Sequence, residues 1–408
     1  MRCLIVGAGI VGISSALHLQ REGHEVVVLE RNGPGEATSR GNAGIFAIGH
    51  VVPMGTPAIL KRVPAMLLDS TSPLTIRRSY LARIAPWLIR MLAASTPRRV
   101  EAISQALAAI LAPALESYRP LLKSAGATDI VQRRGWLILY ESEASRRAAE
   151  PDVVLRRRRG IRVEELDEGT IRQLVPGLRP GPVWGVMLPD CEHTLDPYRL
   201  TVALAEDFVA QGGTIQRGDV RTGVGPNGRA EVTTDAGPLA FDTLVIAAGS
   251  WSRKLMRGFG DDAPLDTERG YHVMMENSID LRLPLLFADH KFSVTPMADG
   301  IRLGGTVEFA GLEAPPNPQR WDIMAQRSRA VLPGLKPEMR STWMGFRPSM
   351  PDSLPVIGPS PRHANVYYAF GHGHLGLTLG AVTGRMIADM IAGRPPAVEP
   401  TPYRITRF

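Results

Sequence analysis

Cysteine is scarce: this 408-residue chain holds two, Cys3 and Cys191. Two distant thiols make no disulfide framework and suit a reducing compartment. No cluster with metal-ligand spacing is present, so no metal is expected. Apolar runs of the roughly 18 residues that span a bilayer are missing, which argues against a transmembrane helix. Met1 leads straight into an apolar strand, so no signal peptide is expected and a cytoplasmic location is. Aromatics make up 6% of the chain and none is interleaved with its densest basic run, Arg156 to Arg159, so nucleic acid is not an expected partner. Repeats and low-complexity tracts are lacking too. The remainder is ordinary: 44% hydrophobic and 21% charged residues, with length enough for two lobes. A net charge of +7 suits an anionic cofactor, an acidic substrate or an anionic membrane surface. The densest basic run, Arg156 to Arg159, reads as a solvated helix end.

What the chain does have begins at its start. The apolar segment from Arg2 to Val6 runs into Gly7-Ala-Gly9-Ile10-Val11-Gly12, and a second apolar run ends on Glu30. Gly7 permits a tight strand-to-helix turn, Gly9 lets the backbone approach a pyrophosphate, and Gly12 lets the helix pack closely. The first N–H groups of that helix face phosphate charge. Glu30, at the end of the second strand, is placed to accept hydrogen bonds from ribose hydroxyls. The chain therefore reads as a dinucleotide binder.

The residues beyond Glu30 distinguish one dinucleotide from another. Arg31 leads into a polar, glycine-rich stretch containing Ser39, Asn42, Ala43 and Gly44. A nicotinamide dinucleotide needs little beyond the first turn, whereas FAD must be carried past a second loop that supplies backbone N–H groups. A buried strand from Phe241 ends in Ala247-Ala248-Gly249-Ser250-Trp251, small enough at its end to lie against the cofactor. This set resembles the FAD-contact elements of the glutathione-reductase-like flavoproteins. It is most similar to the branch holding D-amino-acid oxidase, glycine and sarcosine oxidases and, closest of these, D-amino-acid dehydrogenase. Arg347-Pro-Ser-Met-Pro351-Asp352-Ser-Leu-Pro355-Val-Ile-Gly358 resembles that branch's RPxxPDxxPxIG stretch, and Gly371-His-Gly373-His374-Leu-Gly376-Leu377-Thr378 its glycine-rich turn. The resemblance implies FAD contacts from all of these elements, including Gly373, Gly376, Leu377, Thr378 and an adenine-holding Val220. Neither cysteine lies near the C-terminal flavin elements, so FAD is expected to be held non-covalently.

The implied fold class is α/β, an FAD-binding Rossmann-like domain joined to a second, antiparallel-sheet α+β substrate domain. The first is assembled from 1–52, 160–252 and 339–408, the second from 53–159 and 253–338. Asp196-Pro197 marks a helix N-cap and first helical position, with Leu200, Ala203, Leu204 and Phe208 as its apolar face and Gln211-Gly212-Gly213 as its stop. Lys291–Met297 and Ile301–Glu308, joined by Ala298-Asp299-Gly300, read as a hairpin.

Oxidising an amine beside a carboxylate requires that the carboxylate be fixed, that the Cα–H point at flavin N5, and that charge growing on the ring be stabilised. Arg347 suits the first task, because a guanidinium binds a carboxylate with two parallel hydrogen bonds. The alternative is a structural arginine paired with Asp352. Tyr271 and His272 lie on a strand expected to face the substrate. Alternation allows only one of them to do so. His374, in the glycine-rich turn, is a candidate to pack beside the ring or to bind substrate. The N–H groups at Gly376-Leu377-Thr378 suit negative charge at flavin N1 and O2. No dedicated general base is called for if the amine binds neutral. His50, His193 and His290 have no motif support and read as structural or surface residues.

The reading that results is FAD-dependent oxidation of a small amino acid, D-proline and D-hydroxyproline among the candidates, by hydride transfer from Cα. Electrons pass to a quinone or other carrier. The alternatives are a glycine- or sarcosine-type oxidase using O₂, and a flavin-binding electron-relay subunit. Residues 53–94 combine Lys61-to-Leu68 with arginines 77, 78, 83 and 90 around Trp87. They suit either peripheral attachment to the cytoplasmic face of the inner membrane or packing onto the substrate lobe.

Overall fold

The architecture is that of a computed structural model describing residues 1–57, 60, 72 and 74–408. The Lys61-to-Leu68 segment lies outside the described residues. Arg2–Val6 is the centre of a six-stranded sheet. Its strand order is Thr214–Arg217, Glu25–Glu30, Arg2–Val6, Thr243–Ile246, Val366–Phe370 and Val356–Pro359, the last antiparallel and the others parallel. Cys3, Leu4, Ile5 and Val6 are all buried, as a strand covered on both faces requires. Helix Ile10–Arg21 returns along one face and crosses Gly376–Ile391. A Cβ on Gly384 would sit 2.7 Å from the Ser14 backbone, so only glycine lets these helices approach. Helix Pro197–Ala210 begins where the sequence places it, with Asp196 accepting from the Tyr198 and Arg199 N–H groups.

A second sheet of ten strands is built around Asp266–Met275, which pairs antiparallel with both Gly300–Gly304 and Met339–Ser349. The hairpin forms with Met297 opposite Gly300, but its second arm stops at Gly304, and Val307–Phe309 is a separate strand. Strands Glu164–Leu166, Trp184–Leu188 and Met339–Ser349 also join this sheet. Their place in the sequence had assigned them to the cofactor domain. Hydrogen-bonded pairing across the chain, not proximity in sequence, decides where they sit.

One further expectation is corrected. The run from Arg156 to Arg159 ends helix Glu143–Arg158 but is not simply solvated. Arg156 is buried and donates to the Gly49 carbonyl, while Arg159 binds Glu101 and Ser104. Helices Pro97–Leu111 and Ala114–Ser124 together are long and apolar enough to cross a membrane by length and composition. Here Leu107, Ile110, Leu111, Tyr118 and Leu121 are buried in the core, and the Tyr118 hydroxyl donates to the Leu377 carbonyl.

Candidate functional site

At the carboxyl ends of the central strands the six-stranded sheet opens into a cleft with about 1330 Å³ of atom-free space, part of it continuous with solvent. Gly7, Gly9, Ile10, Val11, Glu30, Arg31, Ser39, Asn42, Val220, Ala248, Gly249, Trp251, Gly373, Gly376 and Leu377 line it. Gly7 has φ +109°, and a Cβ there would stand 2.6 Å from the Ala247 carbonyl oxygen. The Glu30 carboxylate is fixed at the cleft wall by the Ala8 N–H at 2.7 Å. Helix Ile10–Arg21 has no acidic residue in its first turn, and the Ser39 hydroxyl accepts from the Ile10 N–H. Arg31 stacks over the Trp251 ring at 4.0 Å. Helix Gly376–Ile391 likewise presents an N-terminus free of acidic residues to the cleft. These donors and glycine cradles fit a dinucleotide whose diphosphate meets the first helix and whose far end meets the second.

Four residues expected to touch the cofactor, Gly12, Ala43, Gly44 and Thr378, are not among the residues that line the cleft. A Cβ on Gly12 would overlap the Gly7 carbonyl oxygen, so this glycine serves helix–strand packing. Gly44 and Ala43 turn the chain, the Gly44 N–H donating to the Asn42 side chain. Thr378 accepts from the Ala47 N–H through its hydroxyl.

The substrate end is set by strands Asp266–Met275 and Met339–Ser349. Glu268 lies opposite Arg347, Gly270 opposite Gly345, and His272 opposite Trp343, all on one face. The Thr38 and Ser250 hydroxyls both bind the Phe346 carbonyl and tie this strand to the cofactor loops. Arg347 lies over Gly270, where a Cβ would overlap the guanidinium, and donates to the Thr306 carbonyl at 3.0 Å. Among the described residues no carboxylate lies within ion-pair distance of it. Asp352, the alternative partner, is bound instead by Arg407 at 2.7 Å. Burial weakens the hold of Arg347 on its proton, opposed by the charge of Glu268.

Tyr271 points the other way. It is buried in the opposite face, where its hydroxyl donates to Glu308 at 2.5 Å and accepts from the Asn317 N–H at 3.0 Å. Its expected contact with substrate is corrected on this ground: an odd-numbered step along a strand reverses the face. His272 is on the site's side but is buried, stacked on Trp343 at 5.1 Å and bonded to the Gly41 carbonyl at 3.1 Å. Burial pushes it down to about 3, so the ring is neutral and braces the cofactor loop.

His374 is a third exposed, one residue beyond the Gly373 that lines the cleft, and its Nε2 is 3.0 Å from Glu268. Glu268 is buried and also accepts from the Ser349 hydroxyl at 2.6 Å. A smaller cavity continues past the turn, lined by His50, Ser349, Ser353, His372 and His374. Ser353 holds φ +63°, a left-handed conformation unusual for serine. Sequence reasoning missed Glu268 and gave His50 no role. The signal for Glu268 was present: an acidic residue two positions from Gly270 and four from His272 shares their face.

A profile of the DAO family, described as FAD dependent oxidoreductase, matches residues 2–390. A "D-amino-acid oxidase" of Bradyrhizobium diazoefficiens is 38% identical over 99% of this chain and 98% of its own length. A "D-amino acid dehydrogenase" of Sinorhizobium medicae is 31% identical over the full length of both. Among solved structures, glycine oxidase from Geobacillus kaustophilus superposes with a TM-score of 0.77 at 20% identity, covering 100% of this chain and 99% of that one.

Proposed function

Because the chain belongs to the FAD-dependent oxidoreductase family, we propose that it oxidises a small D-amino acid to the imino acid at the Arg347 end of the cleft and passes the electrons to a quinone or other carrier. FAD, when bound, supplies the two-electron acceptor for the α-hydrogen. The observation that carries the substrate class is Arg347, a half-buried guanidinium without a carboxylate partner among the described residues. An amino-acid carboxylate completes it with two parallel hydrogen bonds and orients Cα. The N-terminus of Gly376–Ile391 favours negative charge beside it. The glycine cradle, Glu30 and Ser39 hold the dinucleotide non-covalently. FAD-dependent amino-acid oxidation is common to the relatives named above. The dehydrogenase reading draws on relatives of that name in Sinorhizobium medicae and Granulibacter bethesdensis. Direct use of O₂ is the second reading, favoured by the relative named an oxidase.

Anaerobic flavin bleaching tests both. D-amino acids, including D-proline and D-hydroxyproline, should bleach the yellow protein. A quinone analogue should restore the colour quickly and air slowly. Fast recovery in air would replace the carrier by O₂, and no bleaching by any amino acid would refute the substrate class.

Attachment to the cytoplasmic face of a membrane forms part of the same proposal. Helix Leu81–Ala94 buries Ile84 and Trp87 against the large sheet but leaves Leu81, Ile89 and Leu92 exposed, with Arg83 and Arg90 beside them. This pattern supports docking on anionic lipid. Co-sedimentation with anionic vesicles that survives Ile89→Asp would refute a role for this face.

A further inference from the structure

The proposed oxidation leaves one proton unassigned. A free amino acid carries an ammonium group at neutral pH, and nitrogen must recover its lone pair before the α-hydrogen can leave as hydride. We propose that His374, oriented by Glu268, accepts this proton at Nδ1, which makes His374 the general base and Glu268 its positioning residue. The inference rests on the function proposed above.

The hydrogen-bond pattern determines the tautomer. Burial alone would raise the Glu268 carboxyl, but the bond to His374, the one from Ser349 and the charge of Arg347 outweigh it, and the group is held below its ordinary value. An ionised carboxylate can only accept. Ser349 occupies one of its oxygens as a donor, and the other lies 3.0 Å from His374 Nε2. Nε2 therefore carries the hydrogen, and in the neutral ring the lone pair is left on Nδ1. That atom has no partner among the described residues, and the side chain is a third exposed where it lines the smaller cavity beside the cleft.

The surroundings support a base here. His374 faces Glu268 on strand Asp266–Met275, with Arg347 on the neighbouring strand beyond it. His50, from the loop after Ile45–Phe46, and His372, in the same turn, line the same small cavity. Burial pushes both down to about 3, so neither competes for a proton near neutrality. His372 is also bonded to the Thr383 hydroxyl at 2.9 Å. Arg347 can hold the carboxylate while His374 takes the ammonium proton. One N–H bond breaks and the Nδ1–H bond forms. The freed nitrogen lone pair then forms the C=N bond as the Cα–H bond breaks, its hydrogen and electron pair passing to the two-electron acceptor. The buried Glu268 charge offsets the imidazolium that results.

Two independent readouts test this. In the substrate-free protein, ring ¹⁵N shifts of labelled histidines, with His374 identified by its loss in His374→Asn, should show the Nε2–H tautomer. Glu268→Gln should convert it to a mixture, because an amide both donates and accepts, while Glu268→Asp should preserve it. In turnover, His374→Asn should lower kcat/KM at pH 7 by roughly 10²–10³-fold. The deficit should shrink as pH rises, since more of the free substrate then arrives as neutral amine. Glu268→Asp should keep the wild-type pH profile, and Glu268→Gln should displace its acid limb. A His374→Asn enzyme with wild-type rate and profile, or an Nδ1–H tautomer in the wild type, would overturn the proton relay alone. Absence of bleaching by any amino acid would overturn the relay together with the function on which it rests.

Discussion

Arg347 and Tyr271 lie on adjacent strands, and the side of the sheet that each faces separates their roles. Arg347 shares its face with Glu268, and Tyr271 lies an odd number of steps from Glu268 along the strand. Replacing Arg347 by Ala removes a charge-assisted, two-point contact and should reduce kcat/KM by roughly 10²–10³-fold. Lysine should recover little, because a point charge does not match the planar fork. Steady-state kinetics on purified, FAD-loaded variants decides this. Tyr271→Phe makes the opposite prediction. It deprives the buried Glu308 of a hydroxyl donor and the Asn317 N–H of its acceptor. Stability should fall by about 1–3 kcal/mol with kcat nearly unchanged. A large loss of kcat at wild-type stability in denaturant unfolding would return Tyr271 to the catalytic site.

At the scale of elements, the cofactor cleft depends on how closely the first helix approaches the first turn. Gly12 touches no part of the cleft, yet a methyl group there would overlap the Gly7 carbonyl. Gly12→Ala should push the helix outward by overpacking that costs about 1–3 kcal/mol, weakening FAD binding roughly 10–100-fold. Flavin content after dialysis reads the effect directly, and a fully yellow variant would contradict it. The strand Met339–Ser349 shows the converse dependence. Its pairing with Asp266–Met275 and the ties of Phe346 to Thr38 and Ser250 bring the strand that carries Arg347 up to the loops of the cofactor domain.

The whole molecule stores neutral histidines. Burial pushes His193 down to about 4 and His272 and His372 to about 3. In the unfolded chain these rings take up protons near pH 6.5. Below that value the unfolded state binds more protons than the native one, so stability increases with pH across the window. It is complete above about pH 6.5 and is lost progressively toward the native values as pH falls. With saturating FAD, Tm at pH 5 should lie on the order of 5–10 °C below Tm at pH 7.5. Equal midpoints in scanning calorimetry would show that these rings are protonated in the native state.

The strand–glycine–helix opening, the acidic residue closing the second strand and the Asp196 cap were legible because each is a local pattern: a few adjacent residues fully specify the backbone geometry. The same holds for the arginine and glycine turn near the C-terminus, which carry the resemblance to amino-acid-oxidising flavoproteins. Strand pairing lay beyond that reach. Glu164–Leu166, Trp184–Leu188 and Met339–Ser349 joined the second sheet through partners distant in sequence. Pairing also decided that His272 and Glu268 share a face while Tyr271 does not, that Arg407 rather than Arg347 holds Asp352, and that a buried glutamate stands behind His374. Burial and hydrogen bonding are properties of the assembled sheets, and they separate a buried brace, His272, from the residues proposed as base and carboxylate anchor. Sequence by itself determined the cofactor fold and the chemistry available. Tertiary structure decided which side chains stand where that chemistry can use them, because desolvation and register exist only once distant strands have met.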